Sequence, residues 1–149
     1  MQALEAMAGI STGAVDKARE ELQLEYARLF LTPGGLYPYE SMYLGKEGHL
    51  MDEPYEQVRR FYLEQGTAVA PGQLHPEDHL AVELGFLAHL WSQDQVEAYY
   101  RFCRQHVLAW VPRCMEDLKA KTRSGWYQAL ADLVLAVLEI EAGTLLEVS

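Results

Sequence analysis

Apolar residues recur at three- and four-residue steps along almost the whole chain, and that period points to helices packed on helices. Val15, Ala18, Leu22, Tyr26 and Leu29 set a first helix, entered from the caps Ser11 and Thr12 and stopped at Thr32-Pro33-Gly34-Gly35. A second runs from Pro54 to Gln65, capped by Asp52 or Glu53 and ended by Gly66, with Tyr55, Val58 and Tyr62 on its buried face. A third starts at Pro76 and reaches about Trp91. Its stripe of Leu80, Leu84, Leu87 and Trp91, with Val82, Phe86 and Leu90 elsewhere around it, predicts a central helix covered by several neighbours. Ser92 or Asp94 caps a fourth helix through Trp110; Pro112 then breaks or kinks the chain before a short basic helix ending near Arg123. Ser124-Gly125 opens the last helix, with Trp126, Leu130, Leu133, Val137 and Ile140 on one stripe. No stretch alternates with a period of two between hairpin turns, so a sheet is not expected. The predicted fold is all-α, a single bundle of about six helices in one domain over residues 1–149.

A chain of 149 residues can bury about 68–70% of its unfolded surface, so it needs no disulfide or metal staple. Twelve Lys and Arg against 22 Asp and Glu give a net charge of -10, which argues against a nucleic-acid partner. Cys103 and Cys114 have neither disulfide-framework nor zinc-pair spacing. The opening Met1-Gln2-Ala3-Leu4-Glu5 carries an acid where a secretory signal needs positive charge. The most apolar run, Leu133 to Leu138, falls far short of the roughly 20 residues that span a bilayer. The expectation is a soluble, cytoplasmic chain without stable membrane insertion.

Residues 33–53 break the helical pattern, with four glycines, two prolines and the aromatics Tyr37, Tyr39 and Tyr43. A loop of that length in a small domain is either functional or disordered, and its tyrosines favour order. It is also acidic: residues 29–56 hold Glu40, Glu47, Asp52, Glu53 and Glu56 against the single base Lys46. Residues 101–123, by contrast, hold six of the chain's 12 bases and only two acids. That stretch reads as a solvated helix face, a second contact surface or an internal neighbour of the acidic loop.

The densest polar cluster is His75-Pro76-Glu77-Asp78-His79, followed by Glu83. His79 and Glu83 stand one helical turn apart, which suggests metal ligation, but two ligands fall below the usual zinc count. The competing reading has Glu77 and Asp78 in the first helical turn, complementing its dipole, with His79 paired to Glu83. Gly34-Gly35 lacks the lysine and hydroxyl of a phosphate loop, and no serine sits in a nucleophile elbow. Cys103 and His106 are a one-turn pair that reads as a buried thiol beside an imidazole. Catalysis is not indicated.

Four segments together resemble the TorD/DmsD/NarJ-like redox-enzyme maturation chaperones. They are Glu25-Tyr26-Ala27-Arg28-Leu29-Phe30, Pro38-Tyr39-Glu40-Ser41-Met42-Tyr43, Pro76-Glu77-Asp78-His79-Leu80 with Glu83-Leu84 and Phe86-Leu87, and His106-Val107 with Trp110 and Pro112. The match runs from about Glu25 to Leu138, and its specificity lies in the order and spacing of these segments. The resemblance implies an all-helical cytoplasmic chaperone with no catalytic residues, metal or cofactor. Such proteins bind the precursor of a molybdenum-cofactor oxidoreductase, often through its twin-arginine signal peptide. Carried over by position, the implied peptide-binding cluster is Asp78, His79 and Glu83 with Tyr39, Glu40, Ser41 and Tyr43. Typical members have further helices before the Glu-Tyr-x-Arg-Leu-Phe segment, where this chain has only Met1 to Gly13; either the chain is a truncated or divergent member, or another copy, in a homodimer, supplies the missing packing. Three other readings stand beside this one: an assembly chaperone for a non-exported nitrate-reductase-type enzyme, a small metal-dependent hydrolase built on His79 and Glu83, and a helical subunit with a purely structural role.

Overall fold

The first helix, α1 (Thr12–Phe30), ends where the sequence says it should. The Thr32 hydroxyl donates to the Arg28 carbonyl at 2.7 Å, and Gly34 takes up φ +79, which favours glycine. Leu36 N–H then donates to the Leu29 carbonyl at 2.6 Å, and a Cβ on Gly35 would run into that same carbonyl. This computed structural model describes residues 12–46, 49–67 and 74–147. The expected cap Ser11, the loop residues Glu47 and Gly48 and most of the stretch before Gly13 lie outside them.

Beyond α1 come α2 (Glu40–Leu44), α3 (Glu53–Glu64), α4 (Leu80–Ser92) and α5 (Val96–Phe102). A π turn (Cys103–Val107) leads directly into α6 (Leu108–Lys121), and α7 (Gly125–Glu147) closes the bundle. The fold is all-α, as predicted. Among the described residues the one extended pairing is the antiparallel bridge between Tyr39 and His79. None of the helices found there is long and apolar enough to cross a membrane.

α6 packs on α7, α2 and the π turn, so it rather than α4 is the middle of the bundle. Its Trp110, Val111, Cys114, Met115 and Leu118 are all buried. Phe61 and Tyr62 of α3, Phe86 of α4 and Phe102 of α5 form one aromatic cluster beside it, with ring centroids 4.0–6.1 Å apart. Burying such side chains contributes about 1.5–3 kcal/mol each, which is why these four helices stay together.

Several boundaries and faces differ from expectation. The third helix starts at Leu80, not Pro76, and Glu77 and Asp78 lie ahead of its first turn. Their backbone is engaged elsewhere, since Asp78 O accepts from Glu40 N–H at 2.9 Å. α4 is also one-sided: Glu83, Phe86, Leu87 and Leu90 are buried, whereas Leu84 and Trp91 are 43% and 58% exposed. Pro112 does not end its helix; it sits inside α6, and the irregularity falls earlier, in the π turn. On α7 the buried side is Tyr127, Ala131 and Leu138, with Val134 and Leu135 packed against it. Of the predicted stripe of Trp126, Leu130, Leu133, Val137 and Ile140, Leu130 packs partly against the core and the other four face out. Finally, the expected long loop is divided by the short helix α2.

Candidate functional site

Residues 38–41 and 78–80 meet as two short antiparallel segments. Leu80 N–H donates to the Pro38 carbonyl at 3.0 Å, complementing the Glu40–Asp78 bond. Tyr39 precedes α2 but gives it no side-chain cap. Asp78 supplies one from a distance: its Oδ2 accepts from Ser41 N–H at 3.1 Å and from the Ser41 hydroxyl at 2.5 Å. A carboxylate over the first amides of a helix satisfies donors that would otherwise be orphaned. The clamp therefore fixes the loop to the start of α4.

Beneath it lies a buried ionisable cluster. Glu40 is 1% exposed, and both its oxygens stand 3.1 Å from His106 Nδ1, which donates to the carboxylate. Glu83 is fully buried, and its Oε2 accepts from the Trp110 indole N–H at 3.1 Å. Burial, reinforced by the neighbouring Glu40 carboxylate, pushes the Glu83 carboxyl well above the usual range. That shift favours the protonated, neutral form of Glu83. The remaining Glu83 oxygen, Oε1, has no partner as an acceptor, but as an O–H it has Glu40 to donate to.

Above the clamp an aromatic face reaches the surface. The His75 and His79 rings stack at 4.0 Å with an interplanar angle of 11°, and Tyr39 meets His79 edge-on at 4.9 Å. His79 Nδ1 accepts from Ala81 N–H at 3.1 Å, so His79 is the N-cap of α4. Burial, and secondarily the adjacent His75, lower its pKa to about 4. An unprotonated Nδ1 is what the cap requires.

The structure brings together Tyr39, Glu40, Ser41, Asp78, His79 and Glu83, from two segments, the start of α2 and the start of α4. Tyr43 stands slightly apart, donating to Asp117 at 3.1 Å and packing on Trp110 at 5.4 Å. Glu40, Ser41, Asp78 and Glu83 are buried, while Tyr39, Tyr43 and His79 remain half-exposed. The expected His79–Glu83 pair does not form, because His79 caps its own helix and Glu83 turns inward to Trp110. These two residues share no site for a metal, and among the described residues no three acidic, histidine or cysteine side chains group for one. Sequence reasoning left His75, His106 and Trp110 out of the site. The four-residue step from His106 to Trp110 was the available signal, since it puts both on one helix side. Burial pushes the Cys103 and Cys114 thiols up to about 11, which makes them unreactive.

The Glu25-Tyr26-Ala27-Arg28 segment also has a structural role. Arg28 holds the Glu25 carboxylate through two bonds of 2.8 Å, and Glu25 accepts from Thr122 at 2.9 Å and Arg123 N–H at 2.6 Å. Chiefly through Arg28, the carboxyl is held down at about 2. α1 is thereby tied to the junction of α6 and α7.

Comparison with known proteins assigns the chain to a family. Residues 1–116 match the family described as the nitrate reductase delta subunit. The chain belongs to that family. Among its relatives are proteins named chaperone protein TorD. The one from Vibrio parahaemolyticus is 31% identical over 142 residues, covering 87% of this chain and 66% of its own length. That from Photobacterium profundum is 35% identical over 147 residues, covering 87% and 68%. That from Vibrio cholerae El Tor is 36% identical over 135 residues, covering 82% and 61%. The chain therefore spans about two thirds of the length of these relatives, from 61% to 68%.

Proposed function

We propose that this delta-subunit family member is a cytoplasmic chaperone that binds the precursor of a molybdenum-cofactor oxidoreductase through its twin-arginine signal peptide. It holds the precursor while cofactor is inserted and before export. The observation that carries this is the clamp: four polar residues of the resemblance are spent inside the protein to present Tyr39 and His79 at its surface. Its relatives' name, chaperone protein TorD, agrees with a binding rather than a catalytic role.

Energetics then divide the labour. A micromolar complex needs about 8.2 kcal/mol, and exposed arginine–carboxylate contacts give only about 0.2–1 kcal/mol each. Apolar and aromatic contact at Tyr39, His79 and Tyr43 must supply most of the rest. Glu40, Ser41, Asp78 and Glu83 act from beneath by fixing those rings. The acidic surroundings add selectivity and a faster encounter.

The test is titration of the protein with a synthetic peptide carrying two consecutive arginines ahead of an apolar run. Tyr39→Ala and His79→Asn, the latter keeping a capping side chain, should each weaken binding about tenfold with little change in melting temperature. Full-strength binding by both folded variants removes these residues from the site. Equal binding of a peptide with both arginines changed to glutamine removes the twin-arginine element.

The description of the matched family supports a second reading, a client of the nitrate-reductase type; in this reading the client is not exported. Binding to a catalytic subunit lacking any signal peptide would select it. The outward stripe on α7 also supports a homodimer, since a second copy could cover Trp126, Leu133, Val137 and Ile140.

A further inference from the structure

A cleft of about 530 Å³ opens on the far side of the Glu40–His106 pair, between α3 and the stretch from α5 into the π turn. Its charge is unlike that of the rest of the chain. In a protein of net charge -10, Arg60 and Arg101 line it against one carboxylate, Glu64, and Gln57 and Gln105 add neutral hydrogen-bonding groups. The residues come together by helical spacing: Gln57, Arg60 and Glu64 share a side of α3, and Arg101 and Gln105 stand one turn apart opposite them. Arg101 is held in place, its guanidinium 4.5 Å above the Phe61 ring and 3.7 Å from Glu64. His106 borders the cleft while its Nδ1 is committed to Glu40. Two of these side chains, Gln105 and His106, belong to the π turn, and such turns recur at functional sites.

We propose that this cleft is a second ligand site, separate from the Tyr39–His79 face, and that it takes a small ligand bearing an oxyanion. The oxyanion is a phosphate ester or a carboxylate, bound by the guanidinium groups of Arg60 and Arg101. Planar guanidinium forks match both groups through paired hydrogen bonds. The volume falls within the range of about 300–1,000 Å³ typical of small-molecule pockets. Gln57 and Gln105 flank the anion position and select for a ligand with further polar groups. The assignment also accounts for part of the basic bias of residues 101–123, which the clamp leaves unexplained.

The experiment is calorimetric titration with inorganic phosphate, pyrophosphate and citrate, with ionic strength held constant by sodium chloride. One-site saturable binding is expected, weakened about tenfold in Arg60→Gln and in Arg101→Gln. Lys17→Gln, on the distant α1, should bind as the parent does. Tighter binding of pyrophosphate than citrate assigns a phosphate ester, and the reverse order assigns a carboxylate. Arg101 also packs on Phe61, so Arg60→Gln decides the matter if Arg101→Gln unfolds. No saturation into the millimolar range, or parental affinity in Arg60→Gln, overturns the proposal. Because Arg60 is outside the Tyr39–His79 face, twin-arginine peptide binding should persist in this variant, so the two proposals fail separately.

Discussion

Glu40, Asp78 and Glu83 lie wholly inside the protein, whereas Trp126, Leu133, Val137 and Ile140 stand out from the surface of α7. Both regions reverse the usual partition, in which polar groups stay wet and apolar ones are covered. The polar interior is held by its own bonds, Asp78 to Ser41, Glu40 to His106 and Glu83 to Trp110, which leave one oxygen each of Asp78 and Glu83 without a donor to accept from. Burying such groups costs several kcal/mol unless each finds a partner. What the cost secures is position, since these bonds join α2, α4 and α6 at one point. The apolar exterior contributes no such internal join. The first region is thus a device for holding the fold's loop in place, and the second is surface that the proposed homodimer would cover.

The sharpest way to break the comparison is to remove Asp78. Asp78→Ala leaves Ser41 N–H and its hydroxyl without their acceptor in a dry site, each costing about 1–3 kcal/mol. Destabilisation of about 3 kcal/mol is expected by urea denaturation, and a change below about 0.5 kcal/mol would show that water replaces the clamp.

A smaller effect appears with pH. The folded His79 pKa of about 4 lies below its ordinary 6.5, so the unfolded chain binds the proton more readily between these values. His79 therefore contributes stability that is fully present above pH 6.5 and is lost as pH falls toward 4. Because the ring is half-exposed, screening reduces this to about 1 kcal/mol. Glu83 has the opposite sign: its raised pKa makes its contribution fall as pH rises above the ordinary carboxyl range. Denaturation midpoints of His79→Asn against pH should show a flatter acid limb than the parent. An unchanged limb would assign the acid response elsewhere.

Smaller again is Glu83→Gln. If Glu83 is already neutral, glutamine replaces like with like and costs less than about 1 kcal/mol. A loss of about 3 kcal/mol or more would mean that the cluster needs a buried charge at this position.

Much of the fold was legible because helix formation depends on local spacing. The stops of α1 and α3 were fixed by Thr32-Pro33-Gly34-Gly35 and Gly66, whose effects are local. What escaped depends on contacts between distant residues. Pro76 is well suited to a first helical turn, yet pairing with residues 38–41 draws Asp78 and His79 out of the helix. Glu83 is a poor residue to bury on periodicity alone, and only Trp110 and Glu40 make that position tolerable. On α7 two adjoining sides are both apolar, and the period cannot say which one meets α6. In the site, Tyr39, Glu40, Ser41, Asp78, His79 and Glu83 were grouped by their resemblance to a family, together with the polar cluster at the start of an apolar helix and the acidic, aromatic loop. The sequence pattern alone did not distinguish the buried supports from the exposed rings.

The smallest expected effect tests the exterior. Leu133 is 61% exposed and Ile140 is 68% exposed, so Leu133→Glu and Ile140→Glu remove no core packing. Surface changes of this kind stay within about 0.5 kcal/mol, and the melting temperature of a dilute sample should hardly move. Their effect belongs at high concentration. If a second copy covers this stripe, each glutamate places a charge in an apolar interface, and sedimentation should shift from dimer toward monomer. The parent would then also melt at a temperature that rises with concentration, since association stabilises by mass action. A parent that sediments as a monomer throughout, with a concentration-independent melting temperature, would leave the stripe without a second copy. A large loss of stability in dilute Leu133→Glu would say something different, that this side of α7 is internal after all.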